Sequence, residues 1–118
     1  MKNKTFISSI RCALAGLWMV LKQEKNCKAY FLHVVLTVPF NIYFHYSILE
    51  WIAYILCVCG VFGMECMNTA IERVCDFLTE DANDKIKAIK DIAASAVICM
   101  GFAFYITNIV LIANHLCV

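Results

Sequence analysis

Two stretches of this chain carry no charged residue: Ala29–Leu49, 21 residues, and Ile92–Val118, 27 residues. A helix of about 20 apolar residues matches the roughly 30 Å hydrocarbon thickness of a bilayer, so each run reads as a membrane span. The chain is 63% hydrophobic and 16% charged, against roughly 45–50% and 25% in soluble domains. At 118 residues it has too little polar surface to dissolve such a core, and it is too apolar to stay disordered. The net charge of +1 excludes a polybasic nucleic-acid binder and an acidic tail.

A third apolar stretch, Trp51–Ile71, has helical length but contains Glu65. The expected layout is all-α, with a surface helix at about 4–25 and spans at about 29–49, 51–75 and 85–115. Lys2, Lys4, Arg11, Lys22, Lys25 and Lys28 precede the first span, and Arg73, Lys85, Lys87 and Lys90 lie between the second and third. The positive-inside rule therefore places the N-terminus in the cytoplasm and the Tyr43–Glu50 turn outside. Trp18, Tyr43, Tyr46 and Trp51 sit near the expected interfaces, where amphipathic rings are favoured.

Phe6, Ile10, Ala13, Leu14, Leu17 and Leu21 form one helical face, opposed by Lys4, Ser8, Arg11 and Lys22. That pattern predicts an amphipathic helix lying in the interface plane. A cleaved signal is the weaker reading, because no small-residue cleavage site follows Leu21. Pro39 predicts a mild kink, and Asn83 or Asp84 can cap the last helix.

The eight cysteines include no C-x-x-C pair and read as small hydrophobes; Cys57 and Cys59 point to different faces. His33, His45 and His115 lack ligand spacing. Four glycines, Gly16, Gly60, Gly63 and Gly101, cannot build a Walker or G-x-G-x-x-G loop. Gly60 and Gly63 are expected to permit close helix approach.

The informative segment runs from Glu65 to Asp76. Glu65, Thr69, Glu72 and Asp76 are spaced i, i+4, i+7 and i+11, one stripe on a helix with Asn68 beside it. Glu65 lies about 12 Å inside Arg73 at the helical rise. A carboxylate at that depth costs a few kcal/mol and usually marks function. From the residues alone, a catalytic site, the proton or ion path of a small oligomeric transporter, and a structural helix contact or scaffold all remain open.

The string Glu65 to Glu72 matches E-x-x-N-[ST]-A-I-E, and Lys90-Asp91 precedes the small run Ala93, Ala94, Ser95, Ala96. Gly16-Leu17 and Glu24-Lys25-Asn26 stand upstream at matching spacing. In these elements the chain resembles the bacterial integral-membrane diacylglycerol kinase and undecaprenol kinase family, over about Phe6 to Ala96. The resemblance implies one membrane-embedded lipid kinase domain over 1–118 in the bacterial inner membrane. It also implies a homotrimeric bundle whose active sites are shared between subunits at the cytoplasmic face.

Carried over by residue, the resemblance makes Glu65 the catalytic carboxylate and Asn68 its orienting neighbour. Glu24 and Glu72 would hold Mg²⁺ with ATP as co-substrate, and Asp81, Lys90 and Asp91 would join them in meeting the nucleotide. Glu65 and Ala94 would border the lipid groove. The acceptor would be undecaprenol or diacylglycerol, with the Asn68–Glu72 string closer to the undecaprenol branch. Thr5 stands where many relatives have Arg, so that Lys4 is the nearest substitute; Cys12 replaces an aromatic residue of some relatives. Lys25 replaces Arg in the E-R-N element and keeps the charge without its bidentate hydrogen bonding.

Overall fold

The computed structural model describes residues 5–79, 81 and 83–117, which form four helices and, among the described residues, no strand. They are α1 (Phe6–Gln23), α2 (Lys25–Tyr43), α3 (Ile48–Leu78) and α4 (Asp84–Leu116). Each start has a chemical reason. Thr5 accepts a hydrogen bond from the Ser8 backbone N–H at 3.1 Å and caps α1. Ser47 and Glu50 form a reciprocal capping box at the head of α3. Asn83 Oδ1 accepts from the N–H groups of Lys85 and Ile86 to begin α4, as its sequence position predicted.

The expected span at 29–49 is displaced: its helix starts at Lys25 and stops at Tyr43, and Ile48 and Leu49 belong to α3. Charge is a poor marker of this boundary because Phe44, His45, Tyr46 and Ser47 turn the chain without a charged side chain. His45 adopts a positive φ of 52°, the left-handed conformation that reverses direction here. Pro39 lies inside α2, which continues through it. The other limits fall close to expectation, with α1 shorter at both ends; Lys4 lies outside the described residues.

Two helices, α3 and α4, are long and apolar enough to cross a membrane. They make the most extensive interface in the chain, with α2 and α1 packed against α3. The buried centre is Tyr30, Cys57, Val61 and Phe104, bordered by Val58, Phe62 and Met100. Tyr30 meets the Phe104 ring edge-on at 5.3 Å, a geometry the ring quadrupoles favour. The radius of gyration is 17.3 Å, where a compact domain of this length would have about 13.5 Å. The helices thus form a slab that leaves large apolar side chains such as Phe6, Leu56, Phe77 and Ile92 on its outside.

Glycine acts at two contacts. A Cβ on Gly60 would press on the Met100 thioether, and one on Gly101 would lie 2.7 Å from the Tyr30 hydroxyl oxygen. Gly63 meets nothing within 4 Å, so its expected role in close helix approach is not realised within this chain. All eight cysteines are free, with Cys57 buried and Cys59 exposed as their spacing implied.

Candidate functional site

The stripe on α3 passes from interior to surface: Glu65 and Thr69 are buried, Glu72 is half-buried and Asp76 is exposed. Glu65 is only 2% exposed, and its Oε1 has no hydrogen-bond partner among the described residues. Glu24, at the break between α1 and α2, and Glu72 are the carboxylates that act on it, and Asn26 lies within side-chain hydrogen-bonding reach. No basic side chain is among these neighbours. Arg73, eight residues on, is held away by α1: its guanidinium donates to Met19 Sδ at 3.2 Å and to Gln23 Oε1.

Asn68 Nδ2 donates to Glu72 Oε1 at 3.2 Å, the i, i+4 pairing that its helix position allows. Asn68 Oδ1 and Thr69 Oγ1 are buried without partners among the described residues. Leaving such groups unpaired costs about 1–3 kcal/mol each. With Glu65 Oε1 they make three such atoms within one turn on a single face of α3, so the face is suited to meet a polar ligand.

The α3–α4 hairpin forms a second part of the site. A cavity of about 660 Å³ is lined by Asp76, Thr79, Asp81, Asn83, Asp84, Ile86, Lys87 and Lys90. Lys90 donates to Asp76 Oδ1 at 2.6 Å, and Glu72 also acts on its ammonium group. Glu72 therefore stands between the carboxylate cluster and Lys90 of this cavity. Asp91 turns to Lys87 in an exposed i, i+4 pair at 2.6 Å and does not line the cavity. Ala94 is half-buried on α4, one turn before Val97 and Ile98, which line a groove of about 440 Å³ with Asn26, Tyr30 and Gly101.

Glu65, Asn68, Glu72 and Glu24 are thus brought together, Asp81 and Lys90 share the adjoining cavity, and Asp91 and Ala94 stand apart. Sequence reasoning missed Asn26, although it lies in the quoted Glu24-Lys25-Asn26 element. It also missed Thr79, Asn83 and Lys87, which become neighbours only when the hairpin closes. Thr5, noted as a departure, is the α1 cap.

The donor set fits a hard divalent cation. It is made of carboxylate oxygens, with an orphaned buried oxygen among them. Among the described residues no three His, Cys, Asp or Glu side chains stand close enough to ligate a metal by themselves. Such an ion would therefore complete its shell from a ligand and water, as Mg²⁺ commonly does with phosphate oxygens.

The family described as prokaryotic diacylglycerol kinase matches residues 11–112. An undecaprenol kinase of Bacillus subtilis (strain 168) is 33% identical over 92 residues, which cover 78% of this chain and 75% of the relative. No solved structure matches significantly.

Proposed function

The chain belongs to the prokaryotic diacylglycerol kinase family and is a lipid kinase; from that premise we propose that it transfers the γ-phosphoryl group of ATP to undecaprenol at the cytoplasmic face of the inner membrane. The observation that carries this reading is the buried Glu65 with an unpartnered oxygen, beside Glu24 and Glu72 and joined through Glu72 to Lys90. The relative's acceptor and the Asn68–Glu72 string favour undecaprenol over diacylglycerol. Membership of a kinase family favours phosphoryl transfer over a proton or ion path along the same stripe.

In this reading α2, α3 and α4 cross the bilayer, α1 lies in the cytoplasmic interface, and three copies share active sites across their interfaces. The exposed apolar faces of the slab are consistent with lipid and subunit contacts. The basic residues of the 85–90 segment and of α1 mark the inner side.

Phosphoryl transfer demands positioning and charge stabilisation more than covalent chemistry by the protein. Glu65 accepts a hydrogen bond from the lipid hydroxyl, aims its oxygen at the γ-phosphorus, and takes the proton as the new P–O bond forms. The bond to the ADP oxygen breaks on the opposite side, with Lys90 as a point charge on the phosphates. Asn68 holds Glu72 in place through its 3.2 Å hydrogen bond. Glu24 and Glu72 would hold Mg²⁺, which would supply positive charge to the phosphates. Asp81 and Asp91 complete the nucleotide side, and Ala94, apart from the carboxylates, borders the lipid path.

The test is transfer of labelled phosphate from ATP to undecaprenol and to diacylglycerol in micelles, with wild type and Glu65→Gln, with and without Mg²⁺. Transfer that prefers undecaprenol and disappears without Mg²⁺ or without the carboxylate is the expected result. Preference for diacylglycerol would reassign the acceptor. Transfer that survives Glu65→Gln would remove Glu65 from the mechanism.

A further inference from the structure

At the α1–α2 junction, a cavity of about 440 Å³ is lined by Trp18, Leu21, Lys22, Lys28 and Phe31, without Glu65. Its two ammonium groups come from different helices. Lys22 ends α1 and Lys28 lies in the first turn of α2, and the one-residue break at Glu24 folds them toward a common groove. Neither forms a salt bridge among the described residues, whereas Lys87 and Lys90 do. Lys22 Nζ stands 5.8 Å over the Trp18 ring, within cation–π range. The nearby Glu24 acts on Glu65 instead.

The rest of the lining is Trp18, Leu21 and Phe31, large apolar side chains. Trp18 and Phe31 are exposed. A water-soluble anion would satisfy the lysines but leave these faces wet, and a neutral lipid would satisfy the faces but not the charges. A ligand with a phosphate group and an acyl chain satisfies both. On the proposed membrane orientation the groove opens at the cytoplasmic interface, where lysines attract anionic headgroups and tryptophan rings reside.

We propose that this groove is a binding site for an anionic phospholipid of the cytoplasmic leaflet, its phosphodiester held between Lys22 and Lys28 and one acyl chain laid against Trp18, Leu21 and Phe31. The site is separate from the acceptor lipid's hydroxyl at Glu65. It rests on the membrane orientation given above, and not on the identity of the acceptor.

The chain has two tryptophans, so Trp51→Phe leaves Trp18 as the single reporter. In phosphatidylcholine vesicles containing phosphatidylglycerol, one lipid at a time carries brominated chains at equal mole fraction, and quenching of Trp18 is read. Brominated phosphatidylglycerol should act as though enriched about fivefold over brominated phosphatidylcholine, the order expected from one ammonium at an anionic surface. Lys22→Gln with Lys28→Gln should bring the two lipids to parity, with quenching by brominated phosphatidylcholine rising as it replaces phosphatidylglycerol, which shows that the helix still sits in the bilayer. Lys85→Gln, outside the groove, should keep the preference. Parity in the Trp51→Phe protein, or a preference that survives the double substitution, would overturn the site. Absence of quenching by either lipid would overturn the membrane orientation itself.

Discussion

The two ends of α3 treat their polar groups in opposite ways. At the Ser47 end nearly every polar side chain has a protein partner. Ser47 and Glu50 cap one another, and Glu50 Oε2 meets His115 Nε2 at 2.6 Å, with Tyr46 stacked on the imidazole. Deeper in the same half, Thr37 donates its one proton to the His33 carbonyl at 2.8 Å, so Tyr54 is the donor in the 2.6 Å bond to Thr37. At the other end Glu65, Asn68 and Thr69 bury atoms that meet no partner among the described residues. One end ties α2, α3 and α4 together; the other keeps its hydrogen-bonding capacity for a ligand. Two side chains of α2 are exceptions on the paired side, His33 with an unpartnered Nε2 and Asn41, 1% exposed with an unpartnered amide, and nothing in the structure explains them.

If that contrast is sound, the sharpest separation of activity from stability comes from Glu65→Gln. Activity in micelles should fall about 10²- to 10⁴-fold, the usual scale for a positioned acid or base. The melting temperature should hold or rise, because the substitution removes one of three mutually repelling carboxylates. A loss of melting temperature in parallel with activity would show that Glu65 serves the fold.

Gly101→Ala probes the packed side. Its Cβ would meet the Tyr30 hydroxyl, whose ring is fixed edge-on against Phe104. Overpacking of this kind costs about 1–3 kcal/mol, partly offset by about 0.5–1 kcal/mol of helix propensity. Thermal melts in detergent should show a net destabilisation, and an unchanged or higher melting temperature would mean that Tyr30 simply turns aside. A smaller change is expected for Tyr54→Phe, which removes the bond to Thr37 and should cost about 1 kcal/mol while turnover is kept. Lost turnover in a stable variant would erase the distinction between the two ends.

The smallest effect belongs to the half-buried Glu50. The Ser47 backbone N–H, with help from His115, holds its carboxyl below its ordinary value of 4.5. A lowered folded pKa means that Glu50 contributes stability above the ordinary value, and that this contribution fades as pH falls through the folded value. In a Trp18→Phe protein, fluorescence of Trp51 should therefore report loosening only in acid below the ordinary carboxylate range. A transition centred above it would remove Glu50 as its cause.

Much of this was legible before any coordinates. Glu65, Asn68 and Glu72 share a face because they share one helix, and helical spacing alone is enough to align them. The head of α4 was legible for the same reason, since Asn83 acts on N–H groups two and three residues away. The limit of α2 was not. Uncharged residues make the turn, and a left-handed residue at His45 leaves no mark in hydropathy. The approach of Asn26 to Glu65, the pairing of Lys90 with Asp76 and the cavity shared by Thr79, Asn83 and Lys87 were also hidden.

By itself, then, the sequence determined that the chain is helical, that the segments of α3 and α4 are apolar enough to span a bilayer, and which α3 residues form the polar stripe. Those properties follow from local periodicity and from the cost of exposing apolar surface, both of which act along the chain. Tertiary structure decided that Arg73 serves α1 rather than the carboxylates, that Gly101 rather than Gly63 admits a close approach, and that Lys22 and Lys28 converge. Each of these depends on the rotation of one helix against another. That rotation is set by many weak side-chain contacts, and no pattern within a single helix encodes it.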